Sequence, residues 1–192
     1  MSKVVILFLA FLSSFNAKAE VLTFDTIGVG TSFAEIPAGY GNFIWTNTGV
    51  IWKGMYSESG YYRGATSGEY DAFNWGNQTA TVAKTDGSAF NFDGAFFTSA
   101  WDSSNLLRLV GYRGNSEAYT MNVLINNTSP LWVNASFEGI DRLAMWTEGS
   151  HFAMDNFTYN GKEAHNTPMG SSGIALSLSV LALGFMSRRK RS

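Results

Sequence analysis

The chain contains no cysteine, three prolines and two histidines in 192 residues, and only 15% of it is charged. The missing thiols exclude a disulfide framework, a thiolate metal site, a redox pair and a cysteine nucleophile. Of the two histidines, His165 lies near the C-terminal end, and His151 has no identifiable serine partner, so no serine–histidine arrangement can be assembled from the sequence. Between the two ends no segment shows the 3.6-residue apolar period of an amphipathic helix, and no apolar run reaches the roughly 20 residues of a full bilayer crossing.

Both ends read as addresses rather than as fold. Lys3, an apolar run over residues 4–12 and Ala17-Lys18-Ala19 before Glu20 make a secretory leader, with signal peptidase cutting between Ala19 and Glu20. At the other end residues 163–173 form a polar spacer. An uncharged run of 13 residues follows over 174–186, and Arg188-Arg189-Lys190-Arg191 close the chain. The basic cluster would stay on the cytoplasmic side and leave the preceding chain outside. Small residues, a short apolar helix and an Arg-rich end resemble the PEP-CTERM and GlyGly-CTERM sorting tails of Gram-negative bacteria, read by exosortase and rhombosortase enzymes respectively. Thr167-Pro168-Met169 stands where the first family has Pro-Glu-Pro, and Ser171-Ser172-Gly173 where the second has a glycine pair. The resemblance implies a C-terminal sorting transpeptidase as partner and processing around Gly170, Ser171, Ser172 and Gly173. A transient inner-membrane anchor would then be followed by release to the cell surface or the extracellular space. A plain tail anchor is the other reading.

The remainder, residues 20–162, is a single domain. Six of the thirteen Lys and Arg lie in the removable ends, so in the mature chain, domain and spacer together, seven face fifteen Asp and Glu, a net charge near −8. Such a domain is repelled by phosphate backbones, which argues against nucleic acid as partner. Aromatics at 15% and twenty glycines favour strands and turns. The expected strands cover residues 21–25, 42–45, 50–52, 70–74, 79–83, 89–101 with a break at Asp93-Gly94, 106–112, 117–125, 131–137, 142–147 and 151–159. A glycine-rich loop is expected over 53–69. Residues 106–125 form the clearest hairpin, turning at Gly114-Asn115-Ser116, with Tyr119, Met121, Val123 and Ile125 alternating on one face. These elements predict an all-β, antiparallel sandwich of jelly-roll type.

Leu22-Thr23-Phe24-Asp25, Ile36-Pro37-Ala38-Gly39-Tyr40 leading to Phe43-Ile44-Trp45, Phe90-Asn91-Phe92-Asp93 and His151-Phe152-Ala153-Met154-Asp155-Asn156-Phe157 resemble exported β-sandwich proteins with PEP-CTERM tails, which more distantly resemble the jelly rolls of carbohydrate-binding modules. The resemblance implies fold and location more than activity. Three candidate sites follow. Asp25 on the first strand, with Asp155 and Asn156 on the last, could supply oxygen ligands to a structural Ca²⁺ or could bond turn amides. Trp52, Tyr56, Tyr61, Tyr62, Arg63 and Tyr70 form the preferred glycan-binding surface, because aromatic faces stack on sugar rings and polar neighbours bond hydroxyls; the same rings could instead cap the sandwich. Glu58, Glu69 and Asp71 could serve as the paired carboxylates of a glycoside hydrolase, but nothing in their spacing selects that chemistry, and no catalytic residue is assigned. The sequons at Asn77, Asn126, Asn127, Asn134 and Asn156 carry meaning only in a eukaryotic secretory pathway. The expectation is a non-catalytic envelope or matrix protein that binds surface polysaccharide, the alternatives being a self-associating matrix protein and a polysaccharide hydrolase or lyase.

Overall fold

The structure, a computed structural model, describes residues 19–160; the leader over 1–18 and the spacer, processing region and tail over 161–192 lie outside the described residues. Among the described residues no helix is long and apolar enough to cross a membrane. The strands, in chain order, are β1 (Glu20–Leu22), β2 (Phe33–Glu35), β3 (Phe43–Thr46), β4 (Thr48–Trp52), β5 (Tyr70–Asn74) and β6 (Ala80–Lys84). They continue with β7 (Phe90–Ser99), β8 (Asn105–Arg113), β9 (Ser116–Ile125), β10 (Leu131–Ile140), β11 (Arg142–Thr147) and β12 (Phe152–Tyr159). One short helix, α1 (Gly60–Gly64), sits between β4 and β5.

All strand pairings are antiparallel. One sheet runs β10-β7-β12-β5-β4-β2, with β1 also pairing β12, and the other runs β3-β6-β11-β8-β9. The chain passes back and forth between the sheets, which is the jelly-roll-like antiparallel sandwich that the strand pattern predicts. Alternate residues of each strand point inward. Leu107 and Leu109 of β8, Leu143 and Met145 of β11, and Phe152 and Met154 of β12 therefore meet in one buried core with Phe90, Phe92, Phe97 and Phe157. Each such fully buried side chain contributes about 1.5–3 kcal/mol. In β9, Tyr119, Met121 and Val123 pack against this core as the period of two requires.

Three expectations need correction. The first strand stops at Leu22, because buried Phe24 adopts a left-handed φ of 63° and Asp25–Ile27 turn as a 3₁₀ segment. The long strand does not break at Asp93-Gly94. β7 runs through, because Gly94 has no side chain to collide with the Val133 carbonyl oxygen, which would lie 2.2 Å from a Cβ there. The stretch 53–69 is not wholly loop, since it carries α1.

The outer face of the larger sheet is unusual. Ile51, Phe73 and Ala153 point away from the main core yet are buried, forming a second apolar cluster with Tyr61 and Ala100. Strands buried on both faces need a cover. Here it is the segment between β4 and β5.

Candidate functional site

The cover is seated by glycines. Gly60 and Gly64 lie four residues apart on one side of α1, and both press on the sheet: a Cβ on Gly60 would sit 1.7 Å from the Ser99 carbonyl oxygen, and one on Gly64 would meet Thr98 Oγ1 at 2.4 Å. The Gly60 amide donates to the Ala100 carbonyl at 2.8 Å. Tyr61 is carried inward to 2% exposure, while Tyr62 remains 48% exposed.

Two acidic residues clasp the far end of the same segment. Asp25 Oδ1 accepts from the amides of Glu69 (2.8 Å) and Tyr70 (3.2 Å). Asp155 Oδ2 accepts from the Ser67 amide (2.7 Å) and the Thr66 hydroxyl (3.0 Å). In a regular strand Asp155 and Asn156 would point to opposite faces, but Asn156 takes a left-handed φ of 54° at a bulge, and its side chain also reaches Thr66 and Ser67. The three residues considered for Ca²⁺ are thus brought to one loop, where they hold it by hydrogen bonds. Among the described residues no group of three or more His, Cys, Asp or Glu comes together.

Beneath the cover lies a cleft of about 340 Å³. Its floor is Ile51, Phe73 and Trp75. The Phe73 and Trp75 rings stack at 5.4 Å and lie over Gly49, where a Cβ would come within 2.6 Å of both. Tyr61 and His151 form one wall, joined by a 2.7 Å hydrogen bond between Tyr61 Oη and His151 Nδ1. The rim is aromatic: Phe33, Tyr56 and Trp101 are 42%, 40% and 46% exposed, and the Tyr56 and Trp101 rings meet edge to face at 5.1 Å. Burial, reinforced by the charge of Asp71, pushes the Tyr61 hydroxyl well above the usual phenol range, and burial pulls His151 below the usual histidine range. A Tyr61 hydroxyl that stays protonated can donate to Nδ1, and the neutral imidazole then carries its own proton on Nε2.

Asp71 lies under α1 rather than in the cleft. The Ala72–Met154 pairing sets it opposite Asp155 on the outer face. It is fully buried, and neither its carboxylate oxygens nor the nearby Thr98 Oγ1 has a hydrogen-bond partner. Burial first, and the Asp155 charge second, hold its carboxyl well above the usual carboxylate range, against a weak pull from its own backbone amide. Burial also raises Asp155, opposed by its bonds from Ser67, Asn156 and Thr66.

Of the six residues read as a glycan surface, the cleft takes Tyr56 and Tyr61. Trp52 instead covers Gly54, Tyr70 packs on the main core and donates to the Gly30 carbonyl, and Arg63 pairs with Glu58. Glu58, Glu69 and Asp71 do not line the cleft. Sequence reasoning missed Phe33, Ile51, Phe73, Trp75 and Trp101 and set His151 aside. The legible signal was the unbroken apolar character of Val50-Ile51, Ala72-Phe73 and Ala153-Met154, which marks strands covered on both faces.

No protein-family model matches the chain, and no curated protein matches it. Among solved structures the chain is similar to TmCBM61 in complex with β-1,4-galactotriose, at 10% sequence identity and a TM-score of 0.33, over 68% of this chain and 98% of that one.

Proposed function

We propose that this is an exported, non-catalytic protein of the cell envelope or extracellular matrix that binds polysaccharide through the aromatic cleft. The observation that carries the reading is the rim: three large rings, Phe33, Tyr56 and Trp101, stand about half exposed around an apolar floor, with one polar pair in the wall. Rings in that state present flat apolar faces to the C–H faces of sugars, while the Tyr61–His151 pair supplies hydrogen bonding.

The same geometry disfavours the catalytic alternative. A lyase needs a base near the substrate and a cation for the uronate carboxylate. Tyr61 is held protonated by burial, the basic Nδ1 of His151 is taken up by its bond from Tyr61, and neither lysine nor arginine lines the cleft. A hydrolase needs two carboxylates across the scissile bond, and none lines it. The exposure of Leu131 and Trp132 on edge strand β10 supports the second reading, self-association within a matrix.

Affinity electrophoresis of the full-length chain through gels containing neutral and acidic polysaccharides tests the first reading. Retardation that Trp101→Ala and Tyr56→Ala remove is expected. If every gel leaves the mobility unchanged while sedimentation shows assembly lost in Trp132→Ala, the self-association reading replaces it. Mass spectrometry of the exported protein, with an N-terminus at Glu20 and loss of residues beyond Gly173, tests the export and sorting proposals; an intact Ser192 at the cell surface would restore a plain anchor.

A further inference from the structure

We infer that the cleft selects uncharged sugar residues bearing an apolar face or substituent, such as 6-deoxy, O-methyl or O-acetyl groups, and rejects uronates. This deepens the polysaccharide reading and rests on it. Every side chain lining the cleft is neutral at neutral pH. The two cations carried by the covering segment are committed elsewhere: Lys53 Nζ donates to the Gly68 carbonyl at 2.8 Å, and Arg63 pairs with Glu58 at 2.5 Å. A carboxylate entering this space would lose its water and gain no counter-charge, a costly exchange in an apolar enclosure. Asp71, buried beneath α1 and holding its proton, supplies no counter-charge either.

Hydroxyl groups meet a milder form of the same limit. Beyond the bonded Tyr61–His151 pair, the lining side chains that carry a polar group are Tyr56, with its phenol, and Trp75 and Trp101, with their indole N–H groups. A fully hydroxylated ring buried there would leave hydroxyls unpaired, which costs affinity. The buried portion of the ligand is therefore its apolar portion, with one or two hydroxyls held at His151 Nε2 and the rim.

The test uses polymers matched in backbone: methyl-esterified homogalacturonan against the same polymer saponified, and carboxyl-reduced alginate against native alginate. Binding to the full-length chain is measured by calorimetry in about 0.5 M salt, where the Debye length is roughly 4 Å and repulsion by the acidic domain as a whole is suppressed. The expected result is binding of at least one uncharged form, with its carboxylate form at least about tenfold weaker. Phe33→Arg, which places a cation on the exposed rim, is expected to narrow that gap. Equal or tighter binding of the carboxylate forms that still depends on Trp101 would overturn this selectivity and leave polysaccharide binding standing. Failure to bind any of the four polymers, with Trp101→Ala indistinguishable from the parent, would sink polysaccharide binding and the selectivity with it.

Discussion

Replacing Asp71 with Asn keeps the shape of a fully buried side chain and removes its need to hold a proton. In the fold, burial and Asp155 raise the Asp71 carboxyl well above its ordinary value, so the folded chain keeps a proton that the unfolded chain releases. Wild-type stability therefore falls as pH rises from about 4 toward the folded pKa. At pH 7, about three pH units above the ordinary aspartate value, the penalty reaches at most about 4 kcal/mol, at about 1.4 kcal/mol per unit. Asn carries no such penalty, because it has no proton to release. The variant is expected to be more stable than the parent by between about 1 and 4 kcal/mol at pH 7, or about 3 °C in Tm per kcal/mol for a domain of this size. Near pH 4 the difference should vanish. Urea unfolding followed by tryptophan fluorescence between pH 4 and 7 measures it, with Asp155 retaining its own smaller part of the slope. A variant less stable than the parent at pH 7, with a parent that loses stability on acidification, would refute the reasoning: Asp71 would then be ionised and partnered. Stabilisation of the parent but not the variant by added Ca²⁺ would identify that partner as a divalent ion shared with Asp155.

Gly60→Ala should cost about 2 kcal/mol or more, because the new methyl would sit 1.7 Å from the Ser99 carbonyl oxygen and α1 must lift; unfolding free energy and polymer binding should fall together, and an unchanged midpoint would unseat the glycine argument. Because burial keeps His151 neutral at pH 7 and lowers its pKa, polymer affinity should stay flat from pH 8 down to the usual histidine range and weaken on further acidification as the imidazole charges in an apolar wall. Calorimetry across pH checks this, and His151→Phe should abolish the acid limb. Phe97→Ala, deep between the sheets with no exposure, should destabilise by about 3–5 kcal/mol in chemical denaturation without altering which polymers are bound.

The parts of the fold that were legible are those written in local pattern. The β8–β9 hairpin turns at Gly114, whose φ of 58° suits glycine, and the alternation of β9 places Tyr119, Met121 and Val123 inward as expected. β2 was not legible, because a three-residue strand between glycine-rich turns exists only through its pairing with β4. α1 was equally hidden: Gly-Tyr-Tyr-Arg-Gly is a poor helix by propensity, and it forms where its two glycines can sit against Ser99 and Thr98. The loop aromatics read as one group in the sequence, but α1 turns Tyr61 inward and leaves Tyr62 exposed, a division set by helical geometry rather than by composition.

By itself the amino-acid sequence determined an all-β, antiparallel sandwich with an aromatic core, excluded thiol chemistry and set the acidic charge of the domain. Those properties depend on residue counts and on a period of two, which survive without knowledge of long-range contacts. Only the tertiary structure decided which outer face is roofed, and with it the composition of the cleft, whose residues come from segments as distant as Phe33 and His151. It also gave Asp25 and Asp155 their work as clasps on the segment that delivers Tyr56 and Tyr61. The physical reason is that alternation assigns a residue to one of two faces, while what covers that face is fixed by pairing register, glycine contacts and buried hydrogen bonds between residues far apart in the chain.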